Sequence, residues 1–234
     1  MPSYLDRINW IPVKNTTITN GIVRDIGKQT FTTLCYLMIQ CHEDNYVITT
    51  MKSVQQYLGY KENRTIKKIF KCLEDNQFIR YEDDTGIDIY KYGYTNNIKI
   101  FVDYKQNALD ELGYEMIPID LFTKYYEIIG DSGWALLCSL AILNNFKDQC
   151  AYPSFEYLCS GLRLSATTLK ESIDVLCKNK LISIKDKDDT IYSYEDSNGN
   201  IFYKYSRNKY YVRYIYEDPL WVNYRNSLQS SKSN

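Results

Sequence analysis

The sequence predicts an α+β protein of two tandem winged-helix domains, each a helix-turn-helix followed by a β-hairpin wing. Three observations lead there. The chain aligns with itself: at a shift of 103 residues, Leu34, Cys35 and Leu37 fall on Leu137, Cys138 and Leu140, and Leu73, Asn76 and Ile79 fall on Leu176, Asn179 and Ile182. Each half carries two neighbouring apolar patterns at helical spacing. Hairpin sequence follows each pair, turning at Asp83-Asp-Thr-Gly86 in the first half and at Asn198-Gly199 in the second. The apolar pattern alone would also suit a plain helical hairpin; the wing-like sequence, present twice, decides for the winged helix.

Each half begins with an Ile-Pro-aliphatic triplet, Ile11-Pro-Val13 and Ile117-Pro-Ile119. A long apolar helix is expected next, over Gln29–Gln40 and over Gly133–Asn144. Two shorter helices follow: Thr50–Leu58 with Asn63–Asn76, and Ser154–Leu162 with Ser165–Asn179. Ser165 is a good N-cap, since its hydroxyl can take a free N–H of the first turn, and Ser154 follows Pro153 where a helix would start. The apolar anchors are Val54, Leu58, Ile66, Phe70 and Leu73, then Leu158, Leu162, Leu169, Ile173 and Leu176. Ile66 lies eight residues past Leu58, and Leu169 seven past Leu162, so the first turn should be one residue longer. Strands are expected at Phe78–Tyr81, Ile87–Tyr92 and Ile98–Val102, and at Thr190–Tyr194, Ile201–Tyr205 and Tyr210–Ile215. The expected domains are 1–105 and 106–220, joined near Asp103–Gly113, with a polar tail over 221–234. Leu220-Trp-Val222 is apolar enough to dock on the body or on a second copy, so a homodimer is one of the arrangements it allows.

Composition narrows the functions. The 234 residues are 44% hydrophobic and 24% charged, as in a globular protein that folds without a membrane. No apolar run reaches the length of a membrane span, and Met-Pro-Ser-Tyr-Leu-Asp-Arg lacks the layout of a signal peptide, so a cytoplasmic product is expected. The net charge of −1 means that any nucleic-acid site must be a local patch. The seven cysteines are odd in number and include no Cys-x-x-Cys pair, which favours reduced thiols. Cys41 beside His42, the single histidine, makes too few ligands for zinc.

Catalysis is not expected either. "GIVRDIGKQT" at Gly21–Thr30 lacks both the first glycine of a phosphate loop and the Ser/Thr after the lysine. Asp186-Lys-Asp-Asp189 has too few ligands at calcium-loop spacing. A DNA-nicking tyrosine would need a metal-binding histidine pair, and one histidine cannot supply it. No enzyme activity, cofactor or metal is predicted.

Charge separates the two halves. Lys61, Arg64, Lys67, Lys68 and Lys71 stand against Glu62 alone between positions 61 and 71. With Ile66, Phe70 and Leu73 facing inward, these cations and Asn63 fall on the outer side of the helix, where they suit phosphate contact and base-edge reading. A merely solvated basic face is the plainer alternative. In the second half Arg163 and Lys170 are cancelled by Glu171 and Asp174; Thr167 and Lys170 are the exposed candidates there. Lys204, Arg207 and Lys209 offer a basic wing instead, and Lys99 occupies the wing strand of the first half. The first half is therefore expected to be the principal reader.

The stretch "YPSFEYLCSGLRLSATTLKESIDVLCKNKLI" at 152–182, carried by Pro153, Ser154, Leu158, Leu162, Leu164, Ser165, Thr168, Leu176, Leu181 and Ile182, with Asn208-Lys-Tyr-Tyr-Val212 beyond it, resembles the winged-helix modules of replication initiators from plasmids and phages of low-GC Gram-positive bacteria. The first half departs from that pattern, with Tyr60-Lys-Glu-Asn63 in place of Leu-Ser, but keeps Asn97-Ile-Lys-Ile. The resemblance implies binding of double-stranded DNA at origin repeats and recruitment of a helicase or other replisome proteins. A winged-helix transcription regulator and a protein-binding replisome adaptor are the two alternatives, because winged helices serve many roles.

Overall fold

The two Ile-Pro triplets, far apart in sequence, become partners. Strand β1 (Trp10–Lys14) runs antiparallel to β2 (Tyr114–Pro118) with Ile11 opposite Ile117, both fully buried. The computed structural model describes residues 10–14, 21–41, 45–82, 89–104, 114–185, 192–195, 201–204, 208–219 and 222–223. The chain is an α+β protein that divides into two compact units, residues 1–135 with 161–163, and residues 136–160 with 164–234. The boundary expected between 105 and 106 thus falls inside the first unit, because β2 pairs there with β1. Most of the expected tail, 221–234, and the joining stretch 105–113 lie outside the described residues.

In the first unit, α1 (Ile22–Ile26) and α2 (Lys28–Gln40) are followed by β3 (Tyr46–Thr49), α3 (Met51–Tyr57), α4 (Asn63–Asp75), β4 (Arg80–Tyr81), α5 (Ile89–Tyr92) and β5 (Ile98–Phe101). Helix α2 is buried along almost its whole length, from Thr30 to Met38. Within it, burial pushes the Cys35 thiol up to about 12, which keeps it protonated and inert. The sheet order is β3-β5-β4, with Val47 paired to Ile100 and both turned inward. After β2 comes α6 (Ile119–Ile142), broken at Gly130, whose φ of 61° interrupts the helical path.

The second unit takes the rest of α6, then β6 (Asn144–Asn145), β7 (Cys150–Ala151), α7 (Phe155–Leu162) up to Ser160, α8 (Ala166–Lys178), β8 (Ile182–Lys185), a β9–β10 hairpin (Tyr192–Glu195 with Ile201–Lys204), β11 (Lys209–Val212) and α9 (Arg213–Glu217). Its sheet is ordered β6-β7-β11-β8. In both of these sheets, then, the last strand lies between the strand before the helix pair and the strand after it. The repeat reaches side-chain level: the buried positions of α4 are Ile66, Ile69, Phe70 and Leu73, and those of α8 are Leu169, Ser172, Ile173 and Leu176, each pair related by the same 103 residues.

The helix pairs are closed by the same device. Gly59 at the end of α3 and Arg163 at the end of α7 both have positive φ, and the next N–H reaches back five residues, Tyr60 N to Gln55 O at 3.1 Å and Leu164 N to Cys159 O at 3.0 Å. From Gly59 to Asn63 is four residues and from Arg163 to Ala166 three, so the first turn is one residue longer, as expected. Helices α4 and α8 end alike, on Gln77 and Lys180 in the left-handed conformation. Glycine adopts that conformation without the Cβ clash. Gln77→Gly is accordingly expected to raise stability by roughly 0.5–1 kcal/mol in urea unfolding, less whatever its unfolded-state entropy removes; a loss of stability would contradict this cap.

One expected strand is a helix instead, and another ends early. Residues 87 and 88 lie outside the described residues, and Ile89–Tyr92 is a short helix, α5, instead of a strand. The alternation Ile-Asp-Ile-Tyr-Lys-Tyr resembles a strand, but winding places the Tyr90 ring edge-on to Tyr81 at 6.3 Å and lets its hydroxyl donate to Glu74. Past Val212 the expected strand Tyr210–Ile215 turns into α9, where Arg213 donates to both oxygens of Glu217 at 3.0 and 2.9 Å. That spacing supports a helical turn.

A half-buried carboxylate braces the first unit. Just after Gly130, Asp131 Oδ1 lies 3.1 Å from the hydroxyls of both Tyr60 and Tyr126. Tyr60 also reaches Gln29 O and Tyr126 reaches Leu58 O, each at 3.1 Å. Burial raises the Asp131 carboxyl above its ordinary value, against the opposing hydrogen bonds from tyrosine and the charge of Lys28. The folded state therefore holds more protons than the unfolded state between the ordinary and the raised value. This contribution is full below the ordinary value, falls as pH rises through that window, and is constant above it. Asp131→Asn keeps an acceptor without the charge and is expected to flatten that fall in urea midpoints taken from about pH 4 to about pH 7. A profile parallel to wild type would contradict it.

Candidate nucleic-acid interface

The apolar stripe of α4 dictates what the helix shows to solvent. With Ile66, Ile69, Phe70 and Leu73 buried, Asn63, Arg64, Lys68 and Lys71 are exposed, as is Lys61 just before the helix. Arg64, Lys68 and Lys71 follow one another at spacings of four and three, so they form one line along the helix. Among the described residues Lys61, Arg64 and Lys68 enter no ion pair, whereas Lys71 Nζ lies 3.3 Å from Asp75. Half-buried Lys67 places its ammonium 5.8 Å from the Tyr94 ring centroid, and Lys71 lies as far from Tyr90. Both rings come from the segment in and after α5, which lines one edge of the basic face.

That segment is anchored on α3. The N–H groups of Met51 and Lys52, which open α3, donate to the carbonyls of Gly93 and Tyr94 at 3.0 Å each. Tyr94 Oη then lies 2.9 Å from Gln55 Oε1 and 2.5 Å from Asn63 Oδ1. Gln55 is itself buried, and its Nε2 donates to Tyr60 O at 2.9 Å. A short chain of polar contacts thus runs from the turn between the helices to the first residue of α4.

The other sequence-predicted candidates are distributed as follows. Lys99 on β5 is held 2.8 Å from Glu82, with its ammonium 4.8 Å from the Tyr46 ring and 5.0 Å from that of Phe101. Thr167 and Lys170 are exposed in the first turns of α8, which Ser165 caps through Thr168 N at 3.1 Å. Lys209 is half-buried on β11, opposite Lys185. Lys204 belongs to β10, with its side chain outside what is described, and Arg207 lies outside the described residues, as does His42. Of the twelve candidates, the structure gathers Asn63, Arg64, Lys67, Lys68 and Lys71 on α4, next to Lys61.

Sequence reading missed Tyr94, Tyr90 and Gln55. Tyr60 did carry a signal, since it departs from the expected Leu-Ser, and its hydroxyl is what reaches Asp131. All seven cysteines are free, and among the described residues no group of three or more His, Cys, Asp or Glu side chains could hold a metal. No helix among them is long and apolar enough to cross a membrane. A scan against protein-family models and a search of curated proteins each found no match for this chain.

Proposed function

We propose that this chain is a tandem winged-helix protein that reads double-stranded DNA by sequence, of the kind that initiates replication of a plasmid or phage by binding origin repeats and recruiting a helicase or other replisome proteins. The observation that carries the reading is the outer face of α4: Arg64 and Lys68, which enter no ion pair among the described residues, and Asn63 lie on the second helix of a tight helix pair, with Lys61 just before it, in a chain whose net charge is −1. An average surface of such a protein would mix both signs, so four more cations than acids between positions 61 and 71 are a local concentration suited to phosphates. The recurrence of the sheet order and of the buried helix positions supports the tandem architecture. The protein acts by binding, without catalysis.

The second unit favours a protein partner as well. Leu143, Asn145, Tyr152, Pro153, Ser154 and Tyr157 line a cavity of about 410 Å³, and its α8 face lacks the charge excess of α4. An adaptor role for that unit is therefore the second reading.

Selection from a randomised duplex library at near-physiological salt should enrich one motif, repeated at fixed spacing if origin repeats are the target. In direct binding, the double variant Arg64→Ala/Lys68→Ala should weaken association and make the plot of log affinity against log salt shallower by about 1.8, since each phosphate contact contributes about 0.9. Unchanged affinity and slope would remove α4 from the interface.

A further inference from the structure

The chain of contacts behind Asn63 points beyond general DNA binding to what one side chain reads, and this step rests on the reading of α4 just given. Three polar groups meet at Tyr94 Oη, and their donors must balance. Gln55 Nε2 is used by Tyr60 O, so the buried Gln55 amide has one orientation, with Oε1 facing Tyr94. A tyrosine hydroxyl has a single proton, and Gln55 Oε1 can only accept it. The Tyr94 oxygen is then left as an acceptor, and Asn63 satisfies it best by turning its amide so that one N–H of Nδ2 faces Tyr94 in place of Oδ1. When the hydrogen trans to the carbonyl is the one that faces Tyr94, the groups left for solvent are the second N–H and the carbonyl oxygen, side by side on one edge of the amide.

That pair matches one base. Adenine offers the major groove an N6 amino donor next to the N7 acceptor, which an asparagine amide meets with two parallel hydrogen bonds; guanine presents two acceptors there, and neither pyrimidine supplies both. Asn63 is exposed, is the first residue of α4, and has its amide plane set by a ring that is itself held through Gln55. The Lys67 ammonium also lies over the face of the same ring, 5.8 Å from its centroid. We propose that Asn63 is the specificity-determining residue of the first unit and reads an adenine, and that Tyr94 is its positioning residue.

The test uses the full chain and duplexes built on the motif selected above, each base pair of which is changed in turn to the other three at constant salt. Wild type should prefer adenine at one position by about tenfold or more. Asn63→Ala should reduce that preference to about twofold or less while discrimination at every other position stays. Tyr94→Phe, which keeps the ring, should give an intermediate preference at the same position, again with the others unchanged. A purely structural tyrosine would lower the thermal midpoint and weaken all sites equally, so that pattern would reject its positioning role. An adenine preference that survives Asn63→Ala would overturn the assignment of Asn63 while leaving DNA reading by α4 in place. If wild type enriches no motif at all, the proposed function itself falls, and this inference with it.

Discussion

Phe70→Ala is expected to cost about 3–5 kcal/mol of folding stability, the largest effect of any substitution considered for this chain. Phe70 is fully buried at the middle of α4, the helix that packs on both α2 and α3. Removing its ring takes away the transfer energy of a large apolar group and leaves a cavity whose walls belong to several elements. Helix α4 cannot slide in to fill it, because Ile66, Ile69 and Leu73 hold the same stripe on either side. Phe70→Leu keeps most of the volume and should cost under about 1.5 kcal/mol. Urea unfolding followed by far-UV circular dichroism separates the two. A loss below about 1 kcal/mol for the alanine variant would mean that Phe70 does not hold the helix that carries the basic face.

What the sequence made legible was what repeats. The helix pairs were found because each needs a stripe of apolar residues at spacings of three and four, and a second copy 103 residues on confirmed the pattern; the observed helices, Met51–Tyr57, Asn63–Asp75, Phe155–Leu162 and Ala166–Lys178, differ from expectation by a few terminal residues at most. Short strands were not legible. Tyr46–Thr49, Asn144–Asn145 and Cys150–Ala151 run for four residues or two, too few to establish an alternation. The start of α6 at Ile119 was missed because Gly130 and Gly133 look like the approach to a helix, whereas the left-handed Gly130 is a break within one. Ile89–Tyr92 shows the opposite failure, a clean alternation overridden by the contacts of Tyr90.

The basic face of α4 was readable because charge and helical period are both local properties. The contacts behind it were not. Tyr94 lies 31 residues from Asn63 and 39 from Gln55, and nothing in a single sequence marks one tyrosine among 24 as their common partner. Sequence alone thus indicated which helix faces outward, while the orientation of its first side chain depends on the tertiary fold.

Leu176→Ala is the second large effect, expected at about 2–5 kcal/mol in the same unfolding measurement. Leu176 is the fully buried residue that corresponds to Leu73 under the 103-residue shift, and it sits in the last full turn of α8, where its carbonyl accepts Leu181 N at 3.0 Å. The alanine side chain leaves that closing hydrogen bond intact, so the loss reports the side chain's packing and not a broken cap. Nearness to the helix end makes some collapse into the cavity possible, which places Leu176 below Phe70 in expected cost. Lys178→Ala, two residues on and exposed, should change stability by no more than about 0.5 kcal/mol. If the two variants behaved alike, the helical register of α8 would be wrong, and with it the match between its buried face and that of α4.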